Sequence, residues 1–166
     1  MGGCMGKRKK DALPDVKIKY ADFHEGNFVT DKLGKGAYGS VYSVSKADGE
    51  EPKYAAKVVQ TRVRPDGPGS TIDMITKELQ ILQKVTDTNS QHVVHFIESF
   101  AEGQLVYMVM EKCDTTFREV LTSAETLTEN TYRGIFWQML GGLCAIHGVG
   151  IVHRDVKPDN FMCSGV

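Results

Sequence analysis

Much that would mark a secreted, membrane-spanning or nucleic-acid-binding chain is missing from these 166 residues. Cysteine is scarce. Cys4, Cys113, Cys144 and Cys163 lie far apart with no C-x-x-C spacing, which excludes a legible disulfide framework or zinc site and points to a reducing, cytoplasmic compartment. No apolar stretch is long enough to span a bilayer, and no signal-peptide apolar core follows the start. Neither sign of charge dominates: 20 Lys and Arg against 21 Asp and Glu leave a net charge of -1, so no global field draws the chain to nucleic acid. Calcium loops of the EF-hand type, internal repeats and low-complexity segments are also absent. What is present, 41% hydrophobic and 25% charged residues, is the composition of one globular domain with a real core.

Periodicity organises the chain. Residues 1 to 22 lack it, are rich in Gly and Lys, and read as a disordered basic leader. Strands are expected over Phe28–Leu33, Ser40–Ser45 and Tyr54–Gln60, with a turn at Ala47–Glu50, as an antiparallel meander. Arg64–Gly69 is a breaker cluster, after which Ser70 or Thr71 is placed to cap a helix carrying Ile75, Leu79 and Leu82 on one face. Val93–Phe100 and Leu105–Met110 follow as a strand pair around Glu102-Gly103. A short helix is expected over Phe117–Leu121, and a long one from Thr128 with Ile135, Phe136, Met139, Leu140, Leu143 and Ile146 on one face. Five strands, one intervening helix and then helices give an α+β fold.

Three segments carry chemistry. Gly34-Lys35-Gly36-Ala37-Tyr38-Gly39-Ser40-Val41 fits G-x-G-x-x-G-x-V, and an alternating strand follows it. A dinucleotide-binding turn would need a helix there, and a Walker loop would need Gly-Lys-Ser/Thr. A strand–glycine loop–strand remains, able to fold over phosphates because glycine lets backbone N–H groups come close. Second, Ala55 and Lys57 share one face of the third strand, pairing a small residue with a cation. Glu78, flanked on its helix by the apolar Met74 and Ile81, needs a counter-charge that Lys57 can supply. The most specific segment is Ile151–Phe161, with Asp155, Lys157 and Asn160 in a Pro-containing loop. Phosphoryl transfer to a hydroxyl needs a group to orient the proton, which suits Asp155. A cation on the phosphate suits Lys157, and an oxygen ligand for Mg²⁺ suits the Asn160 amide.

Taken in order, the glycine loop, Lys57, Glu78 and the His153–Asn160 loop resemble the eukaryotic protein kinase family, from about Phe23 to the last residue. The resemblance implies a five-stranded antiparallel N-lobe over about 23–110, a hinge at 111–114 and the first C-lobe helices over 115–166. It implies ATP and Mg²⁺ as ligands and protein Ser/Thr as substrate. Leu33, Gly34, Gly36, Gly39, Val41 and Ala55 would enclose the nucleotide with Lys57 and Glu78, Met110 would be the gatekeeper, and Glu111 and Cys113 would read the adenine edge. Lys157 in the Asp-x-Lys-x-x-Asn arrangement looks like a Ser/Thr kinase, and Arg154 resembles kinases switched by phosphorylation of an activation loop.

These residues contain no Asp-Phe-Gly, whose Asp is a principal Mg²⁺ ligand in the family. The chain is accordingly expected to be a fragment of a kinase, inactive alone, with the apolar face of its long helix uncovered. The alternative is a non-catalytic kinase-like regulator or interaction module. Met1-Gly2-Gly3-Cys4 with Lys7–Lys10 resembles an acylated start, although Gly6 stands where the pattern wants Ser or Thr. It carries the expectation of membrane association through acylated Gly2 and Cys4.

Overall fold

The computed structural model describes residues 13–36, 39–61, 71–123 and 128–165. The leader residues Gly2, Cys4 and Lys7–Lys10, the tip of the glycine loop at Ala37 and Tyr38, the breaker loop and Ser70 lie outside the described residues.

Strands β1 (Phe28–Gly36), β2 (Gly39–Ser45), β3 (Tyr54–Gln60), β4 (Phe96–Glu102) and β5 (Leu105–Glu111) form one antiparallel sheet in the order β1-β2-β3-β5-β4. Alternation of side chains splits its residues into two clusters. On one face Val44, Ala56, Phe100, Tyr107 and Val109 surround Phe23. On the other, Val59, Phe96, Val106 and Met108 receive Ile75 and Leu79 from helix α1 (Thr71–Thr86). Each such fully buried aliphatic side chain contributes about 1.5–3 kcal/mol. After β5 come a short strand β6 (Thr115–Thr116), helix α2 (Phe117–Ser123) and helix α3 (Glu129–Gly148), whose first turn is capped by the Thr128 side chain accepting from the Thr131 N–H. The chain then turns through a single 3-10 turn, Pro158–Asn160, into strand β7 (Met162–Cys163), which pairs with β6.

The five-stranded sheet and the helix order match the sequence expectation, and the differences are local. β1 runs on to Gly36, so the first two loop glycines are strand residues. β4 starts at Phe96 rather than Val93, because Ser90–Val93 is occupied by a tight turn in which the Val93 N–H bonds to the Ser90 carbonyl at 3.3 Å. The β6–β7 ladder was not expected, since two-residue strands carry no periodicity. Residues 13–22 differ most from a structureless leader: the Lys19 N–H donates to the Ser99 carbonyl at 2.9 Å and the Lys19 carbonyl accepts from the Ala101 N–H at 2.8 Å, so the segment lies along the β4 edge.

Close approach of backbone carbonyls requires glycine at Gly39 and Gly142. A Cβ on Gly39 would stand 2.2 Å from the Val58 carbonyl oxygen, where β2 begins against β3. A Cβ on Gly142 would stand 2.6 Å from the His92 carbonyl oxygen, so this glycine lets the loop before β4 rest on α3. At Gly34 a Cβ would meet nothing within 4 Å. Gly39→Ala is therefore expected to lower the unfolding free energy by roughly 1–3 kcal/mol, while Gly34→Ala stays within about 1 kcal/mol of the parent. Urea denaturation of the two variants checks this, and equal midpoints would contradict the contact.

Candidate functional site

The β3 register brings together the residues singled out in the N-terminal sheet. Val41 lies opposite Lys57, and Ala55 opposite Met110, so all four share one face. Helix α1 covers part of that face. Its Glu78 meets Lys57, with Oε1 2.5 Å from Nζ. The two side chains are 25% and 39% exposed, which makes this a half-open pair whose direct stabilisation is modest. One element of the sequence argument does not hold. Met74, read as an apolar flank of Glu78, is 60% exposed. The buried stripe of α1 is Ile75 and Leu79, and Glu78 sits at its border rather than inside it.

The glycines of the loop stand where β1 ends and β2 begins. Gly34 pairs with Val41 and Gly36 with Gly39, and Leu33 occupies the bulge between the Lys32 and Gly34 pairings, with its side chain half-exposed. Packing explains the glycine at 39 but not at 34 or 36, where a Cβ would meet respectively nothing and only the Gly39 carbonyl at 3.9 Å. Room above the loop is what a backbone cradle for phosphates requires. At the end of β5 the Glu111 N–H donates to the His95 carbonyl at 3.0 Å and the Lys112 N–H to the Lys53 carbonyl at 3.1 Å. The ladder stops there. Among the described residues nothing accepts from the Cys113 N–H, which suits a donor to a planar heterocycle edge. Burial pushes the Cys113 thiol above its ordinary pKa, with a smaller opposing effect from its hydrogen bond to Ser164, so this thiol is a poor nucleophile.

The second group of residues follows α3. Asn160 donates from Nδ2 to the Asp155 carbonyl at 2.7 Å and to Asp155 Oδ2 at 2.9 Å, and Lys157 Nζ lies 2.8 Å from the same Oδ2. With its amide nitrogen turned to Asp155, Asn160 has its amide oxygen left for a hard cation, and the donor set fits Mg²⁺ to that extent. Among the described residues there is no cluster of three or more His, Cys, Asp or Glu able to hold a metal. Arg154 is held at φ 68, a left-handed conformation that costs a non-glycine residue on the order of 1 kcal/mol and turns the chain sharply into Asp155. The Asp155 N–H bonds to His153 Nδ1 at 3.3 Å, and the His153 ring stacks on Phe161.

Sequence reasoning missed how this loop is fastened. Arg118 of α2 grips Asp159 through both Nε and a terminal nitrogen, the latter at 2.7 Å. Thr115 pairs with Cys163 and Thr116 with Met162, the Asp114 N–H donates to the Cys163 carbonyl at 2.9 Å, and the Gly165 N–H donates to Asp114 Oδ2 at 2.7 Å. The segment after Cys113 and the segment after Asn160 are thus one hydrogen-bonded unit. An Arg and an Asp forty-one positions apart leave no local signal, and only the fold could reveal the pair.

Hydrogen bonds from Lys157 and then Asn160 hold the Asp155 carboxyl below the ordinary aspartate pKa, and the same contact raises Lys157. The sign follows: the Asp155 contribution is complete above the unfolded aspartate pKa and is lost as the pH falls through the lowered folded value. Lys157→Met is expected to move the Asp155 titration midpoint upward, toward the ordinary aspartate range, measurable by carboxyl-carbon NMR. A midpoint that does not move would show that the ion pair does not form in solution.

Comparison with known proteins agrees with this arrangement. A family model described as protein kinase domain matches residues 28–165. The chain is 33% identical over 135 residues to serine/threonine-protein kinase ppk35 of Schizosaccharomyces pombe, covering 79% of this chain and 20% of that protein. It is 32% identical over 132 residues to serine/threonine-protein kinase 33 of Mus musculus, covering 78% and 25%, and 27% identical over 146 residues to CDPK-related kinase 8 of Arabidopsis thaliana, covering 85% and 23%. The chain spans between about a fifth and two fifths of the length of the curated relatives it matches. With the motifs, the sheet order and the family match in agreement, the chain belongs to the eukaryotic protein kinase family.

Proposed function

We propose that this chain forms the ATP-binding and catalytic-loop portion of a kinase that transfers the γ-phosphate of ATP to serine or threonine hydroxyls of proteins. The observation that carries the reading is the convergence of Lys157 and Asn160 on Asp155. With its carboxyl held below the ordinary range, Asp155 is ionised at neutral pH and able to accept a hydrogen bond from a substrate hydroxyl, orienting its oxygen and receiving its proton. Lys157 is close enough to balance that carboxylate and to offer N–H donors to a transferring phosphate. Lys57, steadied by Glu78, would hold phosphate oxygens deeper on the sheet face, beside the flat surface offered by Val41, Ala55 and Met110. Mg²⁺, when bound, neutralises phosphate charge, and Asn160 is the residue here that would hold it. Preference for serine and threonine rests on Lys157 and on the relatives named as serine/threonine-protein kinases.

A second reading is a kinase-like regulator that binds nucleotide without transfer; among the described residues no cluster of three or more His, Cys, Asp or Glu could hold a metal. The free thiols Cys113, Cys144 and Cys163 are in keeping with a cytoplasmic location. Membrane attachment through acylated Gly2 and Cys4 rests on the sequence pattern alone.

Isothermal titration of the 166-residue chain with ATP tests the binding part. Weak, saturable binding is expected, with Lys57→Met weakening it at least about tenfold through loss of a charge-assisted contact. Absence of any binding at millimolar ATP would overturn the proposal. Transfer to a Ser/Thr peptide by these residues alone is expected to be negligible, and robust Mg²⁺-dependent transfer would overturn the view that a further metal ligand is needed.

A further inference from the structure

The segment before β1 is built into the fold in a way the kinase reading does not use. Pro14, Val16 and Ile18 are partly buried while Leu13, Asp15, Lys17 and Lys19 are exposed, the period-2 pattern of an extended strand lying on a core. Val16 and Ile18 pack against the cluster formed by Val59, Phe96, Val106 and Met108 with Ile75 and Leu79 of α1. That cluster seats the helix bearing Glu78. The segment is fastened at two places on the C-terminal side of this contact. Upstream of Tyr20, the Lys19 backbone makes two hydrogen bonds to β4, and Lys19 Nζ lies 2.5 Å from Glu98 Oε2 and 5.2 Å from the centre of the Phe100 ring. Downstream, Phe23 is fully buried and stacks on Tyr107 at 4.1 Å. Asn27, also buried, donates to the Phe23 carbonyl at 2.6 Å and accepts from Lys46 Nζ at 2.7 Å. Lys46 in turn reaches Glu98 Oε1 at 2.5 Å, so one carboxylate ties the segment to the end of β2.

We infer that residues 13–27 are a positioning strap: by packing Val16 and Ile18 into the cluster that seats α1, they hold that helix where Glu78 reaches Lys57. An edge cover alone would need only the Lys19 bridge to β4. The apolar contact with the helix-bearing cluster is the additional observation, because loosening a shared cluster loosens every element that closes it. Val16 and Ile18 touch neither Lys57 nor any reacting group, so they act through α1. The strap's effect on nucleotide rests on the proposed ATP binding, whereas its effect on α1 does not.

Hydrogen exchange by mass spectrometry on the full 166-residue chain separates coupling from mere edge cover. In V16A/I18A, amides of α1 are expected to exchange at least about fivefold faster, the lower end of typical coupling between sites, while amides of the β2–β3 pair keep their protection. Release of the strap, seen at the Lys19 and Ala101 amides, with α1 unchanged would overturn the inference. Ile18→Val provides a graded version should the double variant fail to fold, read in the same way. If the parent chain binds ATP, V16A/I18A should weaken binding by a similar factor. Unchanged ATP affinity despite a loosened α1 would overturn the link to the Lys57–Glu78 pair. If the parent binds no ATP, the proposed function fails while the exchange result still decides the strap.

Discussion

The contact between Lys57 and Glu78 depends on how α1 is seated. Ile75 and Leu79 are buried against Val59, Val106 and Met108, and Glu78 precedes Leu79 by one residue. Successive residues of an α-helix are about 100° apart, so rolling α1 by one position would bury Glu78 and expose Leu79. The apolar stripe therefore fixes the angle at which the carboxylate arrives, and the ion pair reports that angle. Its half-exposed position limits its energetic weight. Its value is geometric, and the hydrophobic cluster beneath it supplies the stability.

The same logic applies across the hinge. His92 rests on α3 because Gly142 has no side chain, even though a glycine inside a helix costs roughly 1 kcal/mol relative to alanine. The loop before β4, the strand β4 it leads into and helix α3 are thereby set against one another, and α3 delivers the Asp155 loop. Arg118 and the β6–β7 ladder then hold the loop from its other side. These contacts add to the Lys157 and Asn160 bonds that hold Asp155 directly.

How legible this was depends on the range of the signal. The five strands announced themselves by alternation and turn residues, and α3 by its 3.6-residue period from about Thr128. Lys57 with Glu78, and Asp155 with Lys157 and Asn160, were readable because each carries a charge or amide in a setting that demands a partner. Met74 misled because helical flanks are indifferent to how far the partner sheet extends. The strap was legible in principle: Val16-Lys17-Ile18-Lys19 alternates, but the run is short and follows a Gly- and Lys-rich stretch that reads as structureless. Arg118–Asp159 and the β6–β7 pairing were not legible, since two-residue strands and a lone long-range ion pair leave no periodicity to detect. The apolar face of α3 was expected to lie uncovered; Ile146 is buried, whereas Phe136 and Leu140 are exposed, with Trp137 beside them. They form an apolar surface of the kind that invites association.

The pairing of Thr115 with Cys163 also carries a consequence for how the protein is made. Synthesis proceeds from the N-terminus, and the five-stranded sheet has every one of its strands once Glu111 has emerged. The Glu111 and Lys112 N–H groups find their acceptors in the sheet, but the Asp114 N–H has none until Cys163 has been made, and the Gly165 N–H that bonds to Asp114 follows two residues later. Throughout that interval the nascent chain carries a complete five-stranded sheet followed by a segment whose ladder is not yet made. A translational pause before residue 162 would prolong this state.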